Sequence, residues 1–179
     1  MAKRIITISR EFGSGGRFIG EEVAKKLGIA YYDKEMIGQI AEQAGLSSAY
    51  VRENAELSPK KGWFAYAFSG RDITGKSVED MVYEAQRKVI MEIAEKENCV
   101  IVGRNADFIL KDRKDVLNVF IHGSIPEKVR RICSLYNVTE VDAIKMINDI
   151  DKRRRTNYNF YTEQKWGMAD NYTLSLNSS

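Results

Sequence analysis

The sequence predicts a three-layer α/β fold, a parallel sheet of about five strands with helices on both faces. Three observations carry that reading. Short runs of β-branched and aliphatic residues at 4–9, 29–32, 99–102, 116–121 and 172–176 are separated by longer stretches of helical periodicity. Runs such as Cys99-Val-Ile-Val102 do not alternate apolar with polar residues, which suits strands buried on both faces. A glycine-rich segment, Gly13-Ser14-Gly15-Gly16, separates the first strand from the first helix.

The elements follow in order. Arg4–Ser9 is the first strand. After the glycines, Ile19, Val23 and Leu27, with Phe18 and Ala24 beside them, predict a helix that stops at Gly28. Ile29–Tyr32 is a second strand, and Asp33 is placed to cap a helix over Lys34–Ala44 that Gly45 ends. A short helix is expected over Leu46–Ala55. Residues 58–75, with Trp63, Phe64 and Tyr66, have no clear period and read as a loop or insert. Ser77 opens a long helix with Asp80 in capping position and an apolar stripe of Val78, Met81, Val82, Ala85, Val89 and Ile93. Cys99–Val102 and Val116–Ile121 are the third and fourth strands. Ser124-Ile-Pro-Glu127 is a capping box opening the next helix, and Thr139 starts another through Ile150 with Ala143, Ile144, Ile147 and Ile150 inward. A basic run, Asp151 to Arg155, and an Asn/Tyr-rich stretch to Trp166 precede the last strand, Tyr172–Leu176.

Composition narrows the classes. A chain of 179 residues is one domain's length and long enough to bury a core without staples. A net charge of +3 excludes a polybasic or acidic disordered chain, and no run of about 18 apolar residues predicts a membrane span. The start, Met-Ala-Lys-Arg, leads into a strand rather than a signal peptide, so a cytoplasmic protein without nucleic-acid or membrane partners is expected. Cys99 and Cys133 have no CxxC partner and read as reduced, buried thiols; His122, the one histidine, reads as structural.

Ligands of parallel sheets bind beyond the carboxyl ends of the strands. That rule selects residues 10–17, 33, 103–105 and 122–124. Glycines in the first turn let backbone N–H groups turn inward around a phosphate, and the helix dipole adds to the pull on an anion. Against the pattern G-x-x-x-x-G-K-[ST], the segment reads Glu11-Phe12-Gly13-Ser14-Gly15-Gly16-Arg17-Phe18. Its basic residue is arginine, and phenylalanine stands where a hydroxyl would meet Mg²⁺. Arg104 ends the third strand in Val-Ile-Val-Gly-Arg-Asn, where a planar, permanently charged fork suits a phosphate. Lys152-Arg153-Arg154-Arg155 invites an anion or forms a solvated helix end, and only about two of these residues can face one ligand. Asp33 either caps its helix or serves a metal or hydroxyl. Without an anion-binding role, the glycines are an ordinary turn and Arg104 a surface ion pair.

In their order these segments resemble the cytidylate kinase-like family of P-loop proteins. The resemblance rests on Ile-Ser-Arg-Glu-Phe-Gly-Ser-Gly-Gly-Arg (8–17), Tyr-Tyr-Asp (31–33), Val-Ile-Val-Gly-Arg-Asn (100–105), Arg-Arg-Arg-Thr-Asn-Tyr (153–158) and the closing segment 170–179. It implies a P-loop kinase fold of one domain over 1–179, with an acceptor-covering insert about 45–75 and a lid about 151–166. It implies phosphoryl transfer from ATP, with Mg²⁺, to a nucleoside monophosphate such as CMP or dCMP. Gly13, Ser14, Gly15, Gly16, Arg17 and Phe18 would form the donor-phosphate loop, with Arg17 in the place of the P-loop lysine. Asp33, Arg104 and Asn105 would meet the acceptor. Asp151 would orient the lid, from which Arg153, Arg154 and Arg155 close. Arg17, Arg104, Arg154 and Arg155 would be the catalytic cations.

The sequence also departs from that family's pattern. Phe18 cannot ligate Mg²⁺, so the metal ligands stay unassigned. Asp33 is followed by Lys34-Glu35-Met36 and Arg104 by Asn105, which changes the acceptor pocket. A binding protein with an inactive loop and a small-molecule kinase of the same fold are the alternatives. The chain stops soon after the last expected strand, which predicts an uncovered side there.

Overall fold

The computed structural model describes residues 4–43 and 78–179. Its elements are β1 (Ile5–Arg10), α1 (Gly16–Leu27), β2 (Ala30–Tyr32), α2 (Lys34–Gln43) and α3 (Val78–Lys96). They continue with β3 (Cys99–Val102), α4 (Ala106–Ile109), β4 (Val116–His122), α5 (Ile125–Tyr136), α6 (Glu140–Thr162), a 3-10 turn at Ala169–Asn171 and β5 (Leu174–Asn177). The expected helix over 46–55, the loop with Trp63, Phe64 and Tyr66, the insert about 45–75 and the caps at Gly45 and Ser77 lie outside the described residues.

All strand pairs are parallel, in the order β2-β3-β1-β4-β5. Thr7 at the centre of β1 pairs with Ile101 on one side and Asn118 on the other, where its hydroxyl donates to Asn118 Oδ1 at 2.6 Å. Successive residues of a strand face opposite layers. Ile5, Cys99, Ile101 and Val116 therefore meet Ile37, Val89 and Ile90 of α2 and α3. Ile8, Val100, Val102 and Ile121 meet Val23 and Ala24 of α1 on the other face. A third cluster, Val129, Ile132, Ala143 and Ile147, joins α5 to α6 and receives Phe12 from the loop after β1.

Several helical expectations need correction. The stripe of α1 that reaches the sheet is Gly16, Gly20 and Ala24, whereas Phe18, Ile19 and Leu27 are exposed. The reason is close approach: a Cβ on Gly20 would stand 2.9 Å from Val102 Cγ2, and one on Gly16 2.6 Å from Arg10 Cβ. In α6, Ala143 and Ile147 are buried, but Ile144 is exposed because α5 covers a narrower stripe than its spacing implied. That helix does not stop at Ile150. It runs unbroken to Thr162, since 151–162 contain neither Gly nor Pro, and Thr139 caps its start by accepting from the Asp142 N–H at 3.2 Å.

The capping box at Ser124 does not form. Its side chain makes no cap bond, and Glu127 instead accepts from Arg130 one turn on. Cys99 is buried but Cys133 only partly so, and both are free. The last strand begins at Leu174, two residues later than expected, and all four of its residues are exposed. No helix among the described residues is long and apolar enough to cross a membrane.

Candidate active site

β1 delivers the chain to the glycine-rich turn at the carboxyl edge of the sheet. The Ser14 N–H and hydroxyl both donate to the Glu11 carbonyl, at 3.3 and 2.9 Å, and close the turn. Gly13 and Gly15 take φ of +80° and +78°, values that carry a steric cost for residues with a side chain. A Cβ at Gly15 would meet nothing within 4 Å, so open space faces the start of α1. The first N–H groups of a helix have no intrahelical acceptor and the dipole is positive there. This cradle fits a phosphate.

The loop is braced from α5 and the end of β5. Arg131 donates to the Gly13 carbonyl at 3.2 Å and the Ser178 carbonyl at 2.5 Å, and Ser178 Oγ donates to the Ser14 carbonyl at 2.7 Å. Beneath the loop Glu11 and Asp151, the residue expected to orient the lid, meet a lysine that the sequence reading missed. Lys128, 3% exposed, sits 2.9 Å from Glu11 Oε2 and 3.6 Å from Asp151 Oδ2. Asp151 Oδ1 accepts the Phe12 N–H at 2.7 Å. Burial pushes the Asp151 carboxyl above its usual range, against the Phe12 hydrogen bond and the Arg154 and Lys128 charges. Glu11, the departure at the head of the phosphate-loop pattern, is thus a buried lysine's counter-ion. The signal for Lys128 and Arg131 was available: α5 starts at the ligand edge of β4, so inward cations in its first two turns stand beside the loop.

Arg17 lines the same cavity as the glycines and is paired there with carboxylates. Its guanidinium lies 2.9 Å from Asp33 Oδ2 and 3.6 Å from Glu35, with the arginine side chain 54% exposed. Asp33 also caps α2, Oδ1 accepting the Glu35 and Met36 N–H groups at 2.9 and 3.3 Å. The cap reading of Asp33 therefore holds, and its second oxygen is paired with Arg17 at the rim of the cavity. Phe18 is exposed and presents no oxygen.

Arg104 is buried, 4% exposed, at the end of β3. Gly103, Arg104 and Asn105 are successively left-handed, with φ of +80°, +62° and +54°. Two consecutive non-glycine residues in that region store strain, a feature concentrated at functional sites. The run turns the chain so that the Ala106 N–H donates to the Gly103 carbonyl at 3.2 Å, and Asn105 Nδ2 donates to Asn157 of α6 at 3.3 Å.

The basic run on α6 does not converge on one point, because neighbouring residues of a helix point in different directions. Arg154 enters the cleft: its Nη1 donates to the Arg10 carbonyl at 3.1 Å and lies 3.7 Å from Asp151. Arg153 turns to Asp149 at 3.9 Å, Arg155 lies over the Trp166 ring at 5.9 Å, and Lys152 is exposed. A cavity of about 430 Å³ gathers Gly13, Gly15, Gly16, Arg17, Asp33 and Arg131. A recess of about 20 Å³ gathers Gly103, Arg104, Asn105 and Tyr158. Arg10 and Arg154 line both.

His122 is half-buried with its ring 6.4 Å from that of Phe120, and it joins neither recess. Among the described residues no three His, Cys, Asp or Glu side chains cluster as a metal cage. A Mg²⁺ ion held by nucleotide phosphates and water needs no such cage, and Glu11, Asp33 and Glu35 are the carboxylates that line the cavity with the glycines.

The family model described as cytidylate kinase-like matches residues 5–179. None of the curated proteins matches the chain in sequence. Among solved structures, an uncharacterized protein from Eubacterium ventriosum is 29% identical, with a TM-score of 0.74 over 98% of this chain and 88% of that one. Shikimate kinase from Bacteroides thetaiotaomicron is 16% identical, with a TM-score of 0.55 over 97% of this chain and 85% of its own. A gluconokinase from Sinorhizobium meliloti is 14% identical, with a TM-score of 0.53 over 99% and 83%. These last two share the fold, an α/β P-loop kinase fold.

Proposed function

The chain belongs to the cytidylate kinase-like family, and on that premise we propose that it transfers a phosphoryl group from ATP to a nucleoside monophosphate, a cytidylate-like acceptor. The observation that carries the reading is the pair of recesses that share Arg10 and Arg154. A glycine cradle on one side and buried Arg104 on the other, with Arg10 and Arg154 between, support a donor side and an acceptor side; the Arg104 recess, about 20 Å³, has to open to admit a phosphate. Catalysis of such a transfer is mostly positioning and electrostatic stabilisation of the moving group.

In this reading the turn Gly13–Gly16 and the start of α1 hold the donor phosphates. Arg17 exchanges the Asp33 carboxylate for a phosphate oxygen when ATP binds, a short move for an exposed side chain. Arg104 grips the acceptor phosphate bidentately, and Arg154 neutralises charge on the group in flight. Arg155 and Arg153 reach that group only if their present contacts with Trp166 and Asp149 are exchanged. Mg²⁺ bound with the nucleotide supplies further neutralisation of the donor phosphates. The partners are small molecules, and the setting is the cytoplasm.

The test is ADP release with ATP and Mg²⁺ over CMP, dCMP, UMP, AMP and GMP and over small alcohols such as shikimate and gluconate. Turnover confined to pyrimidine monophosphates supports the proposal, and turnover with an alcohol alone overturns the acceptor. ATP binding without turnover favours the binding-protein reading, to which the Arg17–Asp33 pair lends its support. Arg17→Ala and Arg104→Ala are each expected to abolish turnover, and near wild-type kcat/KM in either removes that residue's role.

A further inference from the structure

Three chain segments form the recess between donor and acceptor: the end of β1 carrying Arg10, the left-handed turn after β3 carrying Arg104, and the face of α6 carrying Arg154. One buried side chain, in the short helix that follows the turn, bonds to the other two segments. Asp107, 3% exposed, lies three residues beyond Arg104. Its Oδ1 accepts from Ser9 Oγ at 3.2 Å, beside Arg10. Its Oδ2 accepts from the Tyr158 hydroxyl at 2.7 Å, one helical turn beyond Arg154.

Tyr158 is itself 2% exposed. A phenol has one proton, and the 2.7 Å bond to the Asp107 carboxylate is shorter than the 3.2 Å contact with Gln164 Oε1, so the carboxylate is the main acceptor. Burial raises the Asp107 carboxyl, and the Tyr158 and Ser9 hydrogen bonds oppose that rise. No step assigned to the site uses this group.

We infer that Asp107 is a positioning residue, which through Ser9 and Tyr158 sets the spacing of Arg10, Arg104 and Arg154 across the reaction gap. The inference rests on the kinase reading for its effect on turnover, though not for its effect on phosphate binding. Asp151 secures the same helix at the donor side by accepting the Phe12 N–H, so α6 is clamped at both ends of the gap with Arg154 between. Releasing the Tyr158 clamp leaves Arg104 buried but lets Arg154 drift relative to it. Displacement by about 1 Å in a charge-stabilising site costs up to about a hundredfold in rate.

The test compares Tyr158→Phe, which keeps the ring's packing, with Asp107→Asn, the double variant and Tyr161→Phe. Tyr161 is on the same helix, but its hydroxyl meets Asp80 at 3.4 Å and lies outside the recess. Two readouts are taken: kcat and KM with ATP and the acceptor that turns over, and the affinity for inorganic pyrophosphate by calorimetry. For Tyr158→Phe the expectation is a kcat reduced about tenfold or more, pyrophosphate affinity weakened about fivefold, and a KM for ATP raised by no more than that factor. The double variant is expected to be no worse than the poorer single one, because both remove one contact. Tyr161→Phe is expected to change neither readout.

Wild-type turnover with an unchanged kcat in Tyr158→Phe overturns the inference and leaves the kinase reading intact. A wild type that binds pyrophosphate but turns over no acceptor overturns the kinase reading alone, and the loss of affinity in Tyr158→Phe then decides the inference. A wild type that neither turns over nor binds pyrophosphate overturns both.

Discussion

Replacing Lys128 by methionine tests whether the cluster beneath the glycine-rich loop is an ionic keystone. Its ammonium stands 2.9 Å from Glu11 and 3.6 Å from Asp151, and its side chain is only 4% exposed. At an effective dielectric of about 20, each contact is worth about 5 kcal/mol before desolvation, which cancels most of it. Removing the cation leaves two carboxylates facing one another in a mostly dry site. Breaking a buried pair in this way costs about 3–5 kcal/mol. The lower figure applies here, since Glu11 is 27% exposed and Asp151 keeps the Phe12 N–H.

For a domain of this size about 3 kcal/mol is a fall in Tm of about 6–12 °C. Differential scanning calorimetry at pH 7 and pH 5 reads it. The Asp151 carboxyl is already raised by burial, and losing Lys128 raises it further. A folded-state pKa above the unfolded value favours proton uptake by the native form, so the variant gains stability as pH falls. The gap to wild type is therefore expected to narrow at pH 5. A fall in Tm below about 2 °C at pH 7, or a gap that widens on acidification, refutes the keystone.

Three further outcomes are expected. Gly20→Val forces side-chain atoms against Val102 Cγ2 and Ile8 Cδ1, which a Cβ alone would meet at 2.9 and 3.1 Å. It should destabilise by about 2–3 kcal/mol in urea unfolding, and a loss under about 0.5 kcal/mol would mean α1 sits further from the sheet. Glu163→Gly relieves a left-handed C-cap at φ +57° and should raise stability by about 1 kcal/mol, read as a higher urea midpoint at constant m. Burial first, with the Glu97 charge adding to it, pushes the Cys99 thiol up to about 12, so a thiol reagent at pH 8 should label Cys133 alone until the protein unfolds. Because that folded pKa lies above the unfolded one, the Cys99 contribution is present at neutral pH and is lost as pH rises through about 9 to 12.

The parts of the candidate site that were legible have local signals. The glycines at 13 and 15, the acid closing β2 and the Gly-Arg closing β3 each sit at a strand end, and the rule that ligands meet those ends picks them out. The errors share a physical origin. Periodicity counts apolar residues, so it assigned Ile19 and Leu27 to the buried stripe of α1. Contact with the sheet selected glycine and alanine there, because the helix lies too near Val102 for anything larger. A run of cations reads as one charged surface in sequence. On a helix it spreads to Asp149, the cleft and Trp166, and of the three arginines only Arg154 lines the cavity beside the glycine-rich turn.

By itself the sequence determined the parallel α/β class, the strand–glycine loop–helix unit and the family resemblance, since these depend on neighbours in the chain. The tertiary structure decided the partners of the charged groups. Glu11 and Lys128 are 117 residues apart, Phe12 and Asp151 139, and Ser9 and Asp107 98. Such pairs exist because β1 lies between β3 and β4, which brings the segments that follow all three strands to one edge of the sheet. Ion-pair energy falls with distance and rises with burial, and neither quantity is set before the strands have taken their order.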